Sequence, residues 1–322
     1  MPKICVIGTG NWGMNHVRTL NELHSLGGIV ELDDEKRNHV RKQFPEIEIF
    51  DSVKNAFTHG FNGFTVATPP ESHYEIGKLI LEAGFPVLIE KPMTLDVEES
   101  KQLVELADRK GLPLMVGHVL LFHPAIRKIK SMIQEGKIGN LQYLYSNRLN
   151  LGRVRTEENV FWSFAPHDIS IFQYFVEKTP TDIFANGSSF ISDNIPDTTI
   201  MMMEYPDNIT GHIFVSWLHP FKEHRLVVIG SKGMITFVDS EEGKPLKYHN
   251  KSVKLENGKP QYSDGNEEII SYENTMPLTN ELSYFIDCTT GKLPQISDGN
   301  NGVEVLQILQ KASKQIGADA GT

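Results

Sequence analysis

Cysteine is nearly absent: the 322 residues include two, Cys5 and Cys288. Two thiols so far apart build neither a disulfide framework nor a zinc site, and Cys5 falls in an apolar strand pattern as a small core residue. No apolar run approaches the roughly 18–20 residues that a membrane-crossing helix needs. The opening MPKICVIG has no basic segment followed by a long apolar run, so no export signal is expected and a reducing cytoplasm is the expected compartment. Positive charge is in deficit: 31 Lys and Arg against 41 Asp and Glu leave a net charge of −10. That balance argues against a nucleic-acid binder but permits a local basic pocket for a small anion. Internal repeats and low-complexity segments are missing too. What is left, at 39% hydrophobic and 22% charged residues, is an ordinary globular chain long enough for two domains.

The first third alternates short apolar strands with helices. Strand-like runs at 3–8, 28–33, 63–68, 87–90 and 114–117 are separated by helical patterns near 12–25, 34–43, 72–83 and 96–110. Strands so spaced pair in parallel through right-handed crossovers. After about residue 120 the pattern changes. Helical HPAIRKIKSMIQEG leads into the strand-like LQYLYSNRLNLGR, a helix near 166–176, and β-rich runs at 181–190, 197–206, 209–219, 225–230 and 233–239. Two helical segments, near 278–290 and 301–316, close the chain. The expected organisation is an α/β dinucleotide-type domain, 1–120, followed by an α+β domain, 121–322, with an open, mixed and mostly antiparallel sheet.

The stretch VIGTGNWGMNH carries Gly8, Gly10 and Gly13 at the spacing G-x-G-x-x-G. Alone, that spacing also describes a tight turn without ligand. Here a strand precedes it, a helix follows, and an acidic residue ends the second strand. Gly8 permits the turn, Gly10 lets the backbone approach a pyrophosphate, and Gly13 lets helix and strand pack closely. Glu31 and Asp33 are the candidates for the adenosine ribose, and either carboxylate disfavours a 2′-phosphate, so NAD is expected over NADP. Asp33 and Asp34 are equally readable as helix caps. A second element, ATPPESH, places Thr68, Pro69 and Pro70 where a strand ends and a helix begins, at the edge where parallel sheets bind ligands.

The set VIGTGNWGMNH, ATPPESH, EKPMTL, GHVLLFHPA and VIGSKGMITF, in this order over essentially the whole chain, resembles the Gfo/Idh/MocA oxidoreductases. The resemblance implies a Rossmann domain followed by a mixed sheet of the dihydrodipicolinate-reductase type, NAD as cofactor and no metal. It makes Lys91 the lysine that contacts substrate and nicotinamide ribose. Asn11, Trp12, His73 and Glu90 complete the candidate cofactor residues. Many members carry D-x-G-x-H in the second domain; aligning that histidine on His167 puts Ser163 in place of the aspartate. The implied catalytic set is therefore Lys91 and His167.

The stretches RLNLG and NVFWSFAPHD are similar to those of members that oxidise the 3-hydroxyl of UDP-N-acetylglucosamine or its uronic acid. A histidine titrating near neutral pH suits a general base, and bidentate arginines suit a pyrophosphate. Arg148, Asn150, Arg153, Arg155, Trp162 and Asp168 are thus the candidate substrate residues, with Trp162 also readable as core and Asp168 as a helix cap. The expected partners are a UDP-sugar and further copies of the chain, as a dimer or tetramer, and neither nucleic acid nor membrane. Two other functions fit the same residues: a dehydrogenase of free sugars or inositols, and a non-catalytic NAD-bound sensor.

Overall fold

The computed structural model describes residues 1–152, 154–155 and 158–317. Its first part runs β1 (Ile4–Ile7), α1 (Asn11–Glu22), β2 (Leu26–Val30), α2 (Asp34–Gln43), β3 (Glu48–Phe50), α3 (Val53–Ala56), β4 (Gly63–Val66), α4 (His73–Glu82), β5 (Val87–Glu90), α5 (Val97–Lys110) and β6 (Leu114–Gly117). Then come α6 (Pro124–Gln134), β7 (Leu141–Leu149), α7 (Val160–Val176), β8 (Asp182–Ser188), β9 (Thr198–Tyr205), β10 (Ile209–Ser216), β11 (Glu223–Gly230), β12 (Met234–Val238), β13 (Leu246–Glu256), β14 (Lys259–Ile269), α8 (Pro277–Cys288) and α9 (Gly299–Ile316).

The first sheet is entirely parallel, in the order β3-β2-β1-β4-β5-β6. β1, β4, β5 and β6 are buried at every position, as expected of parallel strands covered on both faces. Their side chains meet those of α4 and α5 in a core that includes Phe64, Val66, Ile80, Ile89, Leu103 and Val116. α5 is delimited locally. The Asp96 carboxylate accepts from the amides of Glu98 and Glu99 at 2.8 and 3.1 Å, and Gly111, at φ +63°, ends the helix. The strand order reverses between β1 and β4, which opens a crevice at the carboxyl edge of the sheet.

The chain divides into two compact units, one joining Met1–Phe122 to Thr275–Leu306 and the other beginning at His123. The cut expected near 120 is close to the observed one, but residues 275–306, assigned to the second domain, group with the first. Sheet edge and packing explain why. The amide of Val116 donates to the carbonyl of Ser297 at 2.8 Å, and the Ser297 hydroxyl donates back to Val116 at 2.6 Å. The returning segment thus pairs groups that an edge strand would leave open. α8 also packs close to β4: a methyl on Gly63 would lie 2.9 Å from Thr289 and 3.2 Å from Phe285.

The second unit holds a sheet in the order β14-β13-β12-β11-β7-β10-β9-β8, antiparallel except for the β7–β10 pair. α7 packs on β7, β9 and β10. It starts at Val160, six residues before the expected helix, because the Asn159 carboxamide accepts from the amide of Trp162 at 3.1 Å and caps it. Pro166 lies inside this helix rather than at its first turn. β13 and β14 were not expected. Asn257 and Gly258, at φ 52° and 74°, form the two-residue turn between paired Glu256 and Lys259, the geometry that an Asn-Gly hairpin prefers. Along β9, Thr199, Met201, Met203 and Tyr205 point inward, while Ile200 and Met202 are 50% and 42% exposed on the other face. Phe184 of β8, 54% exposed, extends that apolar face.

Among the described residues no helix is long and apolar enough to cross a membrane. Both cysteines are buried and unpaired, and burial pushes the Cys288 thiol up to about 11, so it is not a nucleophile at neutral pH.

Candidate functional site

β1 ends at Gly8, whose φ of +91° suits glycine, and α1 begins after Gly10. A methyl on Gly8 would lie 2.8 Å from the Ala67 carbonyl oxygen, and one on Gly13 would lie 2.1 Å from the carbonyl oxygen of Gly8. At Gly10 a methyl would meet no atom within 4 Å, so the backbone there faces open space. That space is a cavity of about 680 Å³ bounded on one side by Gly8, Gly10, Asn11 and Trp12, and on the other by Thr68 and Pro69. The first amides of α1 have no partners within the helix and favour a negative group. A glycine cradle, a helix N-terminus and a carboxylate in the wall fit a dinucleotide.

That carboxylate is Glu31, which lines the cavity at the end of β2. One of its oxygens accepts from the amide of Thr9 at 2.9 Å and from the Thr9 hydroxyl, and the other accepts from the amide of Asp33 at 3.0 Å. Burial pushes its pKa up, but these hydrogen bonds and Lys36 outweigh burial and hold the carboxyl below the usual range. Asp33 is the cap of α2, accepting from the amide of Lys36 at 2.9 Å. The structure thus separates the two candidates: Glu31 faces the cavity, and Asp33 serves the helix.

β5 delivers Glu90 and Lys91. The Glu90 carboxylate, 8% exposed, accepts from the Trp12 indole, faces His16 Nε2 at 2.9 Å and accepts from the amide of Lys91 at 3.2 Å. It lies flat against β6, where a methyl on Gly117 would sit 2.7 Å from the carboxyl carbon. Burial raises its pKa, but His16, Trp12 and Lys91 prevail and keep it ionised. His73 faces the carbonyls of Pro92 and Thr68 at 2.8 and 2.9 Å; it ties the two loops together and is absent from the cavity wall. A residue outside the expected set, His118, follows β6 and is bound to Asn301 Oδ1 at 2.8 Å. Burial pushes it down to about 4, so its ring is neutral at physiological pH. Its signal was present in GHVLLFHPA, but a histidine beside a glycine carries no chemistry by spacing alone.

In the second unit His167 is half-buried on α7, and Ser163 lies one turn before it. Several expected substrate residues have other roles. Asp168, buried, accepts from Arg148 Nε at 2.8 Å and Nη2 at 2.9 Å, and from the Ser146 hydroxyl at 2.6 Å. Burial disfavours the Arg148 charge, but Asp168 outweighs burial and raises its pKa. The two-pronged pair uses Nε and Nη2 of Arg148, and Nη1 takes no part in it. Trp162 is a core residue, 3% exposed, with its indole donating to Ser313 at 2.8 Å. Arg155 is exposed and paired with Glu158. Asn150 is half-buried at the end of β7, where its amide donates to the Ser216 carbonyl. Arg153 lies outside the described residues. Among the described residues no group of His, Cys, Asp and Glu is arranged to hold a metal ion.

Two family models match the chain: the Gfo/Idh/MocA oxidoreductase family, NAD-binding Rossmann fold, over residues 2–118, and the Gfo/Idh/MocA C-terminal domain over 126–236. In sequence the chain is 24% identical over 304 residues to a UDP-N-acetylglucosamine 3-dehydrogenase of Acidithiobacillus ferrooxidans, covering 94% of this chain and 93% of that one. It is also 24% identical over 243 residues to the myo-inositol dehydrogenase Hyg17 of Streptomyces leeuwenhoekii, covering 71% and 74%. The solved structure of the Acidithiobacillus enzyme aligns with a TM-score of 0.86 at 22% identity, over 98% of this chain and 97% of that one. The WlbA dehydrogenase of Bordetella pertussis, in complex with NADH and UDP-GlcNAcA, aligns with a TM-score of 0.78 at 17% identity, over 100% and 98%.

Two outcomes are expected from this geometry. Steady-state kinetics will give a higher efficiency with NAD than with NADP, because a 2′-phosphate meets the Glu31 carboxylate, and Glu31→Gln will narrow the ratio. A wild-type preference for NADP would contradict the placement of Glu31. Asp168→Asn strands a buried guanidinium and will lower stability by about 3–5 kcal/mol; an unchanged thermal melting temperature would show that the pair is not needed.

Proposed function

The chain belongs to the Gfo/Idh/MocA family, as an NAD-binding oxidoreductase, and from that premise we propose that it oxidises the 3-hydroxyl of a nucleotide-linked amino sugar. The substrate is of the UDP-N-acetylglucosamine type, and the 3-keto product suits an aminotransferase in amino-sugar biosynthesis. One observation carries this reading. Similarity to the UDP-N-acetylglucosamine 3-dehydrogenase extends over 94% of the chain, whereas at equal identity the match to the inositol dehydrogenase covers 71%.

NAD, when bound, supplies the hydride acceptor. The glycine loop and α1 hold its phosphates, and Glu31 receives the ribose. Lys91 and His167 handle the proton of the sugar hydroxyl. An imidazole is suited to take that proton, and a lysine ammonium stabilises an alkoxide as it forms. Ser163 has no charge with which to orient His167, and Asp168 is held by Arg148. Neither Ser163 nor Asp168 therefore serves as a carboxylate relay for that proton.

A dehydrogenase of a free sugar or inositol is the second reading, and the arginines favour it. Arg148 already pairs with Asp168 and Arg155 with Glu158, so a pyrophosphate would have to share either guanidinium with a carboxylate. The apolar face of β8 and β9 serves, in this proposal, as the contact for another copy of the chain. The buried, unpaired thiols suit a reducing cytosol.

The decisive assay follows NADH absorbance with UDP-N-acetylglucosamine, free N-acetylglucosamine and myo-inositol. The UDP-sugar will be strongly preferred and UDP will inhibit, since remote phosphate contacts help position the reacting carbon. Equal use of free and UDP-linked sugar, with no inhibition by UDP, would hand the function to the second reading. No turnover with any of them would favour a sensor. Lys91→Met and His167→Asn will each lower turnover by on the order of 10²–10⁴ while still binding NAD; a variant with normal turnover removes its residue from the mechanism. In sedimentation velocity the wild type will run as a dimer or tetramer and Met202→Glu as a smaller species. A monomeric wild type at assay concentration would rule out the proposed interface.

A further inference from the structure

We propose that Glu281 is a positioning residue: a neutral carboxylic acid that gives its hydrogen bond to His16 Nδ1. This completes a buried chain, Glu281–His16–Glu90, that holds Trp12 and the backbone of Lys91. All its members lie in the first unit, and the inference depends on NAD binding rather than on the identity of the sugar.

Glu281 is fully buried on α8, and neither carboxyl oxygen has a hydrogen-bond partner. A buried acid of this kind keeps its proton, because ionising it would place a second negative charge near Glu90 in a dry site. Burial first, and then Glu90, raise its pKa well above the carboxylate range. A protonated carboxyl is a donor and needs an acceptor. His16, on α1, offers one. Its Nε2 faces the Glu90 carboxylate at 2.9 Å, which only accepts, so the ring hydrogen is on Nε2. In this proposal the ring is neutral, which makes Nδ1 a lone pair, and this atom too is buried with no partner. α1 and α8 pack against each other. A donor without an acceptor and an acceptor without a donor thus lie on two helices packed together, and in this proposal a side-chain rotation or one bridging water joins them.

The other titratable groups around the cluster leave its charge balance simple. From the end of β5 comes Lys91, which lowers the Glu90 pKa; from the end of β6 comes His118, and from α4 His73. Burial lowers the pKa of both histidines, so both stay neutral at physiological pH. Glu90 and Lys91 then offset one another, and ionised Glu281 would unbalance them. The chain is intact below the raised Glu281 pKa and is lost as pH rises through it.

The test uses the full-length protein with Glu281→Gln and Glu281→Leu. Infrared difference spectra at neutral pH will show a protonated-carboxyl carbonyl band in the wild type that disappears in Glu281→Gln. In ¹⁵N-histidine NMR, His16 will be the Nε2–H tautomer in all three proteins, since Glu90 accepts from Nε2 throughout, and the Nδ1 resonance will move to that of a lone pair without a hydrogen bond in Glu281→Leu but not in Glu281→Gln, whose amide also donates. Calorimetry will show that Glu281→Leu binds NAD about tenfold more weakly, the cost of one unsatisfied buried acceptor, and that Glu281→Gln restores the affinity. Wild-type affinity will fall on the alkaline side, and that of Glu281→Gln will not. An ionised Glu281 at neutral pH, a His16 imidazolium, or unchanged NAD affinity in Glu281→Leu would each overturn the proposal. Should Glu281→Leu fail to fold, the band and the wild-type tautomer decide.

Discussion

α1 and β1 meet with space for only a hydrogen between them. A methyl on Gly13 would lie 2.1 Å from the carbonyl oxygen of Gly8, so no other residue lets the helix start this near the strand. From that approach follow the open backbone at Gly10, the direction of the first helical amides, and the place of Trp12 on the cavity wall. Trp12 then reaches Glu90, which in turn fixes the amide of Lys91. A steric constraint at the second residue after Asn11 is thereby passed across the sheet from β1 to β5.

The acids around these sites are anchors. Glu31 ties the glycine loop to the end of β2, Glu90 collects Trp12, His16 and Lys91, and Asp168 neutralises Arg148. Each accepts three hydrogen bonds from donors that are themselves held in place, so each contributes field and shape instead of moving protons. In the proposed mechanism the groups that handle protons are a lysine and a histidine.

Much of this was legible in the chain. The first-unit strands and helices followed from short apolar runs and periodic helices, and the glycine spacing announced the cradle. The rest was hidden for identifiable reasons. Asp33 and Glu31 are two residues apart at a strand end, and only the path of the chain decides which one faces the cavity. Arg148 and Asp168 read as ligands because their pairing joins a strand to a helix twenty residues away. Pro166 suggests a helix start, since proline usually marks a first turn, while the true signal for α7 is the cap at Asn159. β13 and β14 are largely polar and exposed, so they show no apolar alternation, although Asn257-Gly258 marked their turn. His16, His118 and Glu281 belong to no motif; their significance is burial and contact.

The return of residues 275–306 to the first unit has a consequence for synthesis. A nascent chain that has passed Phe122 holds every strand of the parallel sheet, yet its β6 edge still lacks the pairing that Ser297 and Asp298 provide. The side of β4 covered by Phe285 and Thr289 is bare as well. The dinucleotide unit is encoded first and completed last, after the whole second sheet has left the ribosome. A fragment cut at the apparent domain boundary would carry the glycine loop and an unsealed core, so the cofactor-binding unit is not separable as a contiguous piece of sequence.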